Sequence, residues 1–222
     1  MKINNQNQTS FGWKDVTHKK ITETSLADTP ELAKYQKDLV NFVQRPDFDE
    51  NGVNSNFHFY FPFAEKKSFS DSSGSDNAYG RYSYHVGQIK TSLENNDKQG
   101  AIEHAGRALH FLQDVSEQHH SHQGNLFQKA QEQNIHIEFE DFIKDNQDKI
   151  FKNIAPKRVE SNKNFDDLFI KTAEYSARSD FSTINNRDKW ERLGQDGLSN
   201  AMHATREFLV KFNTLLKERN LQ

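Results

Sequence analysis

Apolar residues recur along most of this chain at intervals of three and four, the spacing that gathers them into one stripe on a helix. Val16, Ile21 and Leu26 predict a short helix over 15–27, with His18 in its first turns. Leu32, Tyr35, Leu39, Phe42 and Val43 predict a second. Thr29 is its candidate N-cap and Pro30 takes the favoured first position; Pro46 ends it near Arg45, because proline disfavours helical geometry in the residue before it. The pattern dissolves over 46–78, where Asp47, Asn51-Gly52, Asn54, Asn56 and the polar run 71–76 read as one long loop. Loops of this length in compact domains are functional or disordered, and Phe57, Phe59, Tyr60, Phe61 and Phe63 indicate that part of this one is packed. Helical spacing returns over 79–93, breaks at Asn95-Asn96 and resumes over 98–120 through Ile102, Ala105, Leu109, Leu112 and Val115. Further helices are predicted at 135–150, 165–178 and 197–217, with connections at 152–164 and 180–188. Strand-like alternation is confined to the aromatic run 57–61, and there is no internal repeat. The economical architecture is all-α: residues 1–12 as a polar tail, then a single-domain multi-helix bundle over 13–222 with one long loop at 46–78.

Composition narrows this picture. A chain of 222 residues can bury one substantial core. The hydrophobic share of 33% and mean hydropathy of −0.97 are low, yet 18 Phe provide large apolar units that argue against disorder. With 29 basic and 32 acidic residues, the net charge of −3 predicts no general attraction to nucleic acid or anionic lipid. The absence of cysteine excludes disulfides and thiolate ligands, so any metal site must be built from nitrogen and oxygen. No apolar run is long enough to span a bilayer, and residues 1–10 lack the apolar stretch of a secretory signal. The expectation is therefore a chain that is cytoplasmic or exported by a non-standard route.

The candidate chemistry lies in histidines and acids at helical spacing. His110 and Asp114 stand four apart and project from one helix face; His120 follows six residues later, and His136 and Glu140 repeat the four-residue spacing on a later helix. One His-x3-acid pair on a soluble helix is most often a surface hydrogen bond. Two pairs resemble the way helical bundles build interior metal sites, and imidazole with carboxylate suits zinc. The His110 pair also lies beside Leu109 and Leu112, where an unpaired carboxylate is costly to bury. A plain hydrogen bond between His110 and Asp114 in the core is the competing reading. His104 reads as a partly exposed histidine, His85 as a hydrogen-bonded core imidazole or a support for a metal-binding carboxylate, and His203 as isolated.

The ordered series Trp13-x4-His18, Asp47 in Arg45-Pro46-Asp47-Phe48-Asp49, His58 in Asn56-Phe57-His58-Phe59-Tyr60, His110-x3-Asp114-x5-His120 and His136-x3-Glu140 resembles the zinc-dependent phospholipases C of bacteria. That family shares its fold with the fungal and plant single-strand nucleases. The resemblance spans residues 13–140 and is most specific at the central His-x3-Asp-x5-His. It implies a site of two or three zinc ions. Asp47, His58, His110 and Asp114 would hold one, His120, His136 and Glu140 a second, and Trp13, His18 and Asp114 a third, with Asp114 bridging. Chemically, such ions lower the pKa of a shared water, clamp phosphodiester oxygens and stabilise the leaving alkoxide. Asp47 is the first candidate for deprotonating the attacking water and Glu140 the second.

Two departures matter. In the family the tryptophan is the first residue of the mature protein and binds zinc through its free amine, whereas twelve residues precede Trp13 here. A third ion would need cleavage after Gly12 or another mode of binding. Gln118-His119 also stands where the family commonly has a proline, which leaves His119 and His122 as alternatives to His120. Phe48, Phe57, Tyr60 and Tyr79 are candidates for lining a substrate pocket, by cation–π contact with a choline head group or by stacking on a base. The leading expectation is a phospholipase C-like phosphodiester hydrolase acting on a phospholipid, with transient membrane-surface contact. A nuclease or nucleotidase on the same scaffold and a non-catalytic zinc-stabilised binding protein are the alternatives.

Overall fold

The helical periodicity is realised almost throughout, with boundaries moved where side chains compete for backbone groups. A computed structural model describes residues 13–50, 55–63, 77–122, 129–154, 164–179 and 184–219. The helices are α1 (Asp15–Leu26), α2 (Gln36–Val43), α3 (Pro46–Asp49), α4 (Ala78–Glu94), α5 (Lys98–Asp114), α6 (Gln118–Ser121), α7 (Lys129–Lys152), α8 (Phe165–Ala177) and α9 (Trp190–Glu218). Short 3-10 turns lie at Pro30–Tyr35, Ser55–His58 and Arg187–Lys189, and the described residues contain no strand. The fold is all-α, as the periodicity predicts. The tail 1–12, the polar run 71–76 and much of the connections at 152–164 and 180–188 lie outside the described residues.

Four local expectations are corrected. The stretch after Thr29 begins as the 3-10 turn Pro30–Tyr35, and Thr29 makes no side-chain cap. Arg45 keeps helical geometry (φ −63°, ψ −41°) despite Pro46, because its carbonyl accepts from Phe48 N (2.9 Å) and Asp49 N (3.0 Å) and so starts α3. Proline at the first helical position supports that turn, so the expected loop opens with a helix. The aromatic run makes no ladder; Tyr60 N donates to the His120 carbonyl at 2.9 Å and Ala78 N to the Phe59 carbonyl at 3.1 Å. Finally, the helix expected over 98–120 stops at Asp114. Ser116 Oγ donates to the Gln113 carbonyl (2.5 Å) and Ser121 Oγ to the Val115 carbonyl (2.6 Å). These hydroxyls offer the backbone a local alternative to helix continuation. Asn96, between α4 and α5, adopts φ 56°, a left-handed geometry that asparagine tolerates, and Asp97 then caps α5 by accepting from Gly100 N at 2.9 Å.

Two apolar clusters result. One joins α2, α4, α5, α8 and the second half of α9, with Leu39, Tyr82, Ile102, Phe111, Phe169 and Phe208 all but inaccessible. The other joins Trp13 and Ile21 to Phe139, Ile143 and Ile150 of α7 and to the first half of α9. Helix α9 therefore runs through both. A band of buried polar side chains from α1, α3, α5, α6 and α7 includes His18, Asp47, His110, Asp114, His120, His136 and Glu140.

The approach of α5 to α2 depends on Gly106. A Cβ there would come within 2.5 Å of Phe42 Cβ and 3.1 Å of the Leu39 carbonyl oxygen. One turn on, His110 Nδ1 donates to the Val43 carbonyl at 2.8 Å, a bond available only at that separation. Gly106→Ala is expected to lower stability by about 1–3 kcal/mol, typical of overpacking against unyielding neighbours. It should also shift the His110 imidazole resonances; an unchanged melting temperature and spectrum would show that the helices have room to part.

Candidate metal centre

His18, on the buried face of α1, meets His110 and Asp114 from α5. His18 Nε2 is 3.2 Å from Asp114 Oδ1, while Asp114 Oδ2 is 2.7 Å from His58 Nδ1 and 3.2 Å from His110 Nε2. His110 Nε2 also lies 3.1 Å from His58 Nδ1 and 3.7 Å from Asp47 Oδ1. Two of the rings are tied at their other nitrogen. His110 Nδ1 donates to the Val43 carbonyl, and His18 Nδ1 lies 2.8 Å from Gln113 Oε1. Gln113 is itself fixed, its Nε2 donating to Thr22 Oγ1 at 3.0 Å and Thr205 Oγ1 at 3.1 Å. Such ties set the tautomer and leave the Nε2 lone pairs of His18 and His110 facing the carboxylates. Because His110 has only one nitrogen to offer, it cannot serve two ions, whereas the two oxygens of Asp114 face different imidazoles.

A second group forms where α6 meets α7. His120 Nδ1 donates to the His58 carbonyl at 2.7 Å, and His120 Nε2 lies 3.1 Å from His136 Nε2. Glu140 Oε1 is 2.8 Å from His136 Nε2 and 3.9 Å from His120 Nε2, and Glu140 Oε2 is 3.5 Å from Lys14 Nζ. Of the three neighbouring histidines, His120 turns its Nε2 into this group. His119 stacks on His136 (centroids 4.5 Å apart) and pairs with Glu117, and His122 is half-exposed.

The surroundings select charge states. Burial would lift Asp114, but the imidazoles of His110, His58 and His18 hold it well below the carboxylate range. Glu140, opposed by the same burial and pulled down by His136 and His120, falls to about 2. In Asp47 burial wins over the neighbouring imidazoles and raises its pKa. His18, His58 and His136 are lowered by burial but raised more strongly by their carboxylate neighbours, ending above 6.5. Without an ion, then, protons on imidazole are the cations that balance these acids. Three sets of buried nitrogen and oxygen donors lie within 4.8 Å of one another: His18, His110 and Asp114; Asp47, His58 and His110; and Glu117, His120 and His136. Zinc bonds of about 2.0–2.2 Å put tetrahedral neighbours roughly 3.4 Å apart, so donor separations of 3.1–3.7 Å fit such an ion.

Not every expected site residue joins these groups. Trp13 is buried, its Nε1 donating to Ser116 Oγ at 3.2 Å and its indole packing near Phe139, so its side chain serves the core. The residues before it, on which a terminal amine would depend, lie outside the described residues. Tyr60 and Tyr79, both partly buried, pack on each other and on Phe169 at 5.5–5.8 Å, at the edge of the first apolar cluster. Phe57 lies under the Arg81 guanidinium at 4.0 Å, whereas Phe48, beside Asp47, is 56% exposed. His85 contacts Glu50 at 3.1 Å and His104 at 3.0 Å. Arg107 forks onto Asp49 at 2.8 Å and Glu50 at 2.5 Å, so these side chains anchor the short helix that carries Asp47. His203 pairs with the buried Glu207 at 2.8 Å. Two residues escaped the sequence reading. Phe59 stacks on His120 at 4.4 Å, and its position directly after His58 was the available signal. Glu117, three residues before His120, is fully buried against both His120 and His136.

No protein-family model and no curated protein matches this chain. Solved structures do. The alpha-toxin of Clostridium perfringens from avian strain SWCP aligns with a TM-score of 0.69 at 17% identity, over 94% of this chain and 63% of the toxin. The alpha toxin of Clostridium absonum aligns with a TM-score of 0.69 at 15% identity, over 100% of this chain and 67% of the toxin. The chain thus spans less than two thirds of the first toxin, and the likeness at this identity is one of fold.

The charge states predict opposite pH responses with and without metal. The raised histidines stabilise the metal-free protein fully below pH 6.5, and that contribution is lost as pH rises through their folded values. The depressed acids contribute above their ordinary range, a contribution lost only as pH falls towards about 2 for Glu140. Chelator-treated protein should therefore lose melting temperature as pH rises from about 6.5 to 8, while zinc-loaded protein gains, since deprotonated imidazoles bind the ion. Parallel melting curves in the two states would contradict this balance of protons and metal.

Proposed function

We propose that this protein is a zinc-dependent hydrolase of phosphodiesters, of the phospholipase C type. The observation that carries the reading is the division of the Asp114 carboxylate, one oxygen 3.2 Å from His18 and the other within 2.7–3.2 Å of His58 and His110. A buried carboxylate with imidazoles on both sides is the arrangement a bridging ligand needs. The alpha-toxin fold supports the zinc phospholipase C superfamily, in line with the ligand order in the sequence.

In this reading Asp47, His58, His110 and one oxygen of Asp114 would hold one ion, His120, His136 and Glu140 would hold another, and His18 with the second oxygen of Asp114 could serve a third. Bound zinc would supply Lewis-acid activation of water and neutralisation of phosphate charge. The protein's own groups do the rest. The Asp47 carboxylate, beside His110 at the margin of the Asp114 group, is the first candidate to accept the proton of the attacking water, and Glu140 is the second. Phe111 and Phe59, packed on His58 and His120, keep bulk water from the rings. Phe48 offers an exposed apolar contact next to Asp47, fitting the acyl side of a phospholipid at a membrane surface. No helix among the described residues is long and apolar enough to cross a membrane.

The test is hydrolysis by zinc-loaded protein of phosphatidylcholine vesicles and, separately, single-stranded DNA. Release of the phosphorylated head group without DNA cleavage is expected; DNA cleavage alone would move the substrate to nucleic acid, and neither would favour a binding protein. Asp47→Asn should cut kcat by about 10²–10⁴, the loss typical of removing a general base, and should weaken zinc in the Asp114 group while leaving the ion at His120 and His136 in place. His110→Ala, Asp114→Ala and His136→Ala should each lose bound zinc. Near-normal zinc in all three would end the proposal.

A further inference from the structure

The ligand series that the sequence supports has no place for Glu117, yet this residue is built into the second group of donors. It lies in the turn between α5 and α6 with no solvent exposure. A carboxylate this deep is costly unless paired. Glu117 Oε1 is 2.6 Å from His119 Nδ1, and Oε2 accepts from His119 N at 3.1 Å. Oε2 also lies 3.7 Å from His120 Nε2 and 3.6 Å from His136 Nε2. Those ring nitrogens are 3.1 Å apart, and the His120 Nδ1 proton is already given to the His58 carbonyl. The three edges of this triangle bracket the roughly 3.4 Å separating tetrahedral ligands of one zinc ion. Glu140 stands beside the same nitrogens, with its second oxygen next to Lys14.

We infer that Glu117 is a fourth protein ligand of the ion held by His120, His136 and Glu140, and that His119 is the positioning residue that aims its carboxylate. The inference rests on the metal reading above and deepens it. Two carboxylates and two neutral imidazoles would balance a divalent cation. An ion held there would join the turn before α6 and α6 itself to α7. His119 contributes through its Nδ1–H to Glu117 and its stacking on His136.

Glu117→Gln keeps shape and can still accept the His119 backbone N–H, and His119→Phe keeps an aromatic ring against His136 while removing the Nδ1 donor. Zinc content by mass spectrometry and zinc affinity by chelator competition would be measured on wild type and both variants, with Asp114→Asn as the control for the other group. Glu117→Gln should lose one ion per chain, its site weakened roughly 100-fold or more, and His119→Phe should weaken the same site about 10-fold or more, as loss of a ligand's partner does. Cobalt-loaded wild type should show the intense visible bands of a four-coordinate ion, reduced in Glu117→Gln as water enters the shell. Unchanged stoichiometry, affinity and cobalt spectrum in Glu117→Gln, with the ion still lost in His136→Ala, would overturn the role of Glu117 and leave the metal reading standing. Wild type that binds no zinc would overturn that reading itself. Should Glu117→Gln fail to fold by circular dichroism, His119→Phe decides: wild-type zinc affinity and cobalt bands in that variant would refute the inference.

Discussion

The carboxylate of Asp114 sets the constraint that the surrounding structure satisfies. It is buried completely, and an ionised acid stripped of water is stable only beside positive charge. His18, His58 and His110 reach it from three separate stretches of chain, so that one side chain ties α1, the segment before α4 and α5 together. Asp47, Glu117 and Glu140 repeat the problem nearby. A protein that buries four acids among imidazoles either protonates the rings or supplies a metal. Protons and divalent ions are therefore competing solutions to the same electrostatic requirement.

The apolar framework is arranged to hold this polar band still. Helix α9 belongs to both hydrophobic clusters, and α1, α5 and α7, which carry most of the donors, each contribute residues to at least one of them. Phe111, from the first cluster, lies 5.6 Å from the His58 ring; Phe139, from the second, lies 5.5 Å from that of His119. Ring orientation is then set by backbone: the Val43 carbonyl fixes His110 and the His58 carbonyl fixes His120. Donors supported in this way need little reorganisation to meet an ion, the condition for a precise site on a rigid scaffold.

The two donor groups are built differently. Around Asp114 a single carboxylate is shared between imidazoles on opposite sides, with Asp47 and exposed Phe48 at the margin. Around His136 the acids converge from two directions on a pair of nitrogens, and Lys14 adds a cation at the edge. The likeness to the clostridial alpha-toxins concerns the helical scaffold. Chemistry follows from the donors placed on it, since one fold hosts many functions.

What could be read from the sequence was whatever depends on local periodicity or on spacing within one helix. The stripes of α4, α5, α8 and α9 were visible because each helix buries one face, and the pairs His110–Asp114 and His136–Glu140 because four residues make about one turn. The ordered ligand series brought Asp47, His58 and His18 into view only by resemblance, since nothing local links them to α5. Tertiary structure alone decided the rest. Hydroxyl bonds from Ser116 and Ser121 ended α5 at Asp114 and created the turn that buries Glu117, a residue whose neighbours in sequence gave it no distinguishing pattern. Packing of the chain across Phe169 set Tyr60 and Tyr79 against the edge of the first apolar cluster, while Phe59 turned onto His120. Helical spacing fixes which side chains share a face; which faces meet is settled by close approach between helices, as Gly106 permits against Phe42, and that is a property of the assembled fold.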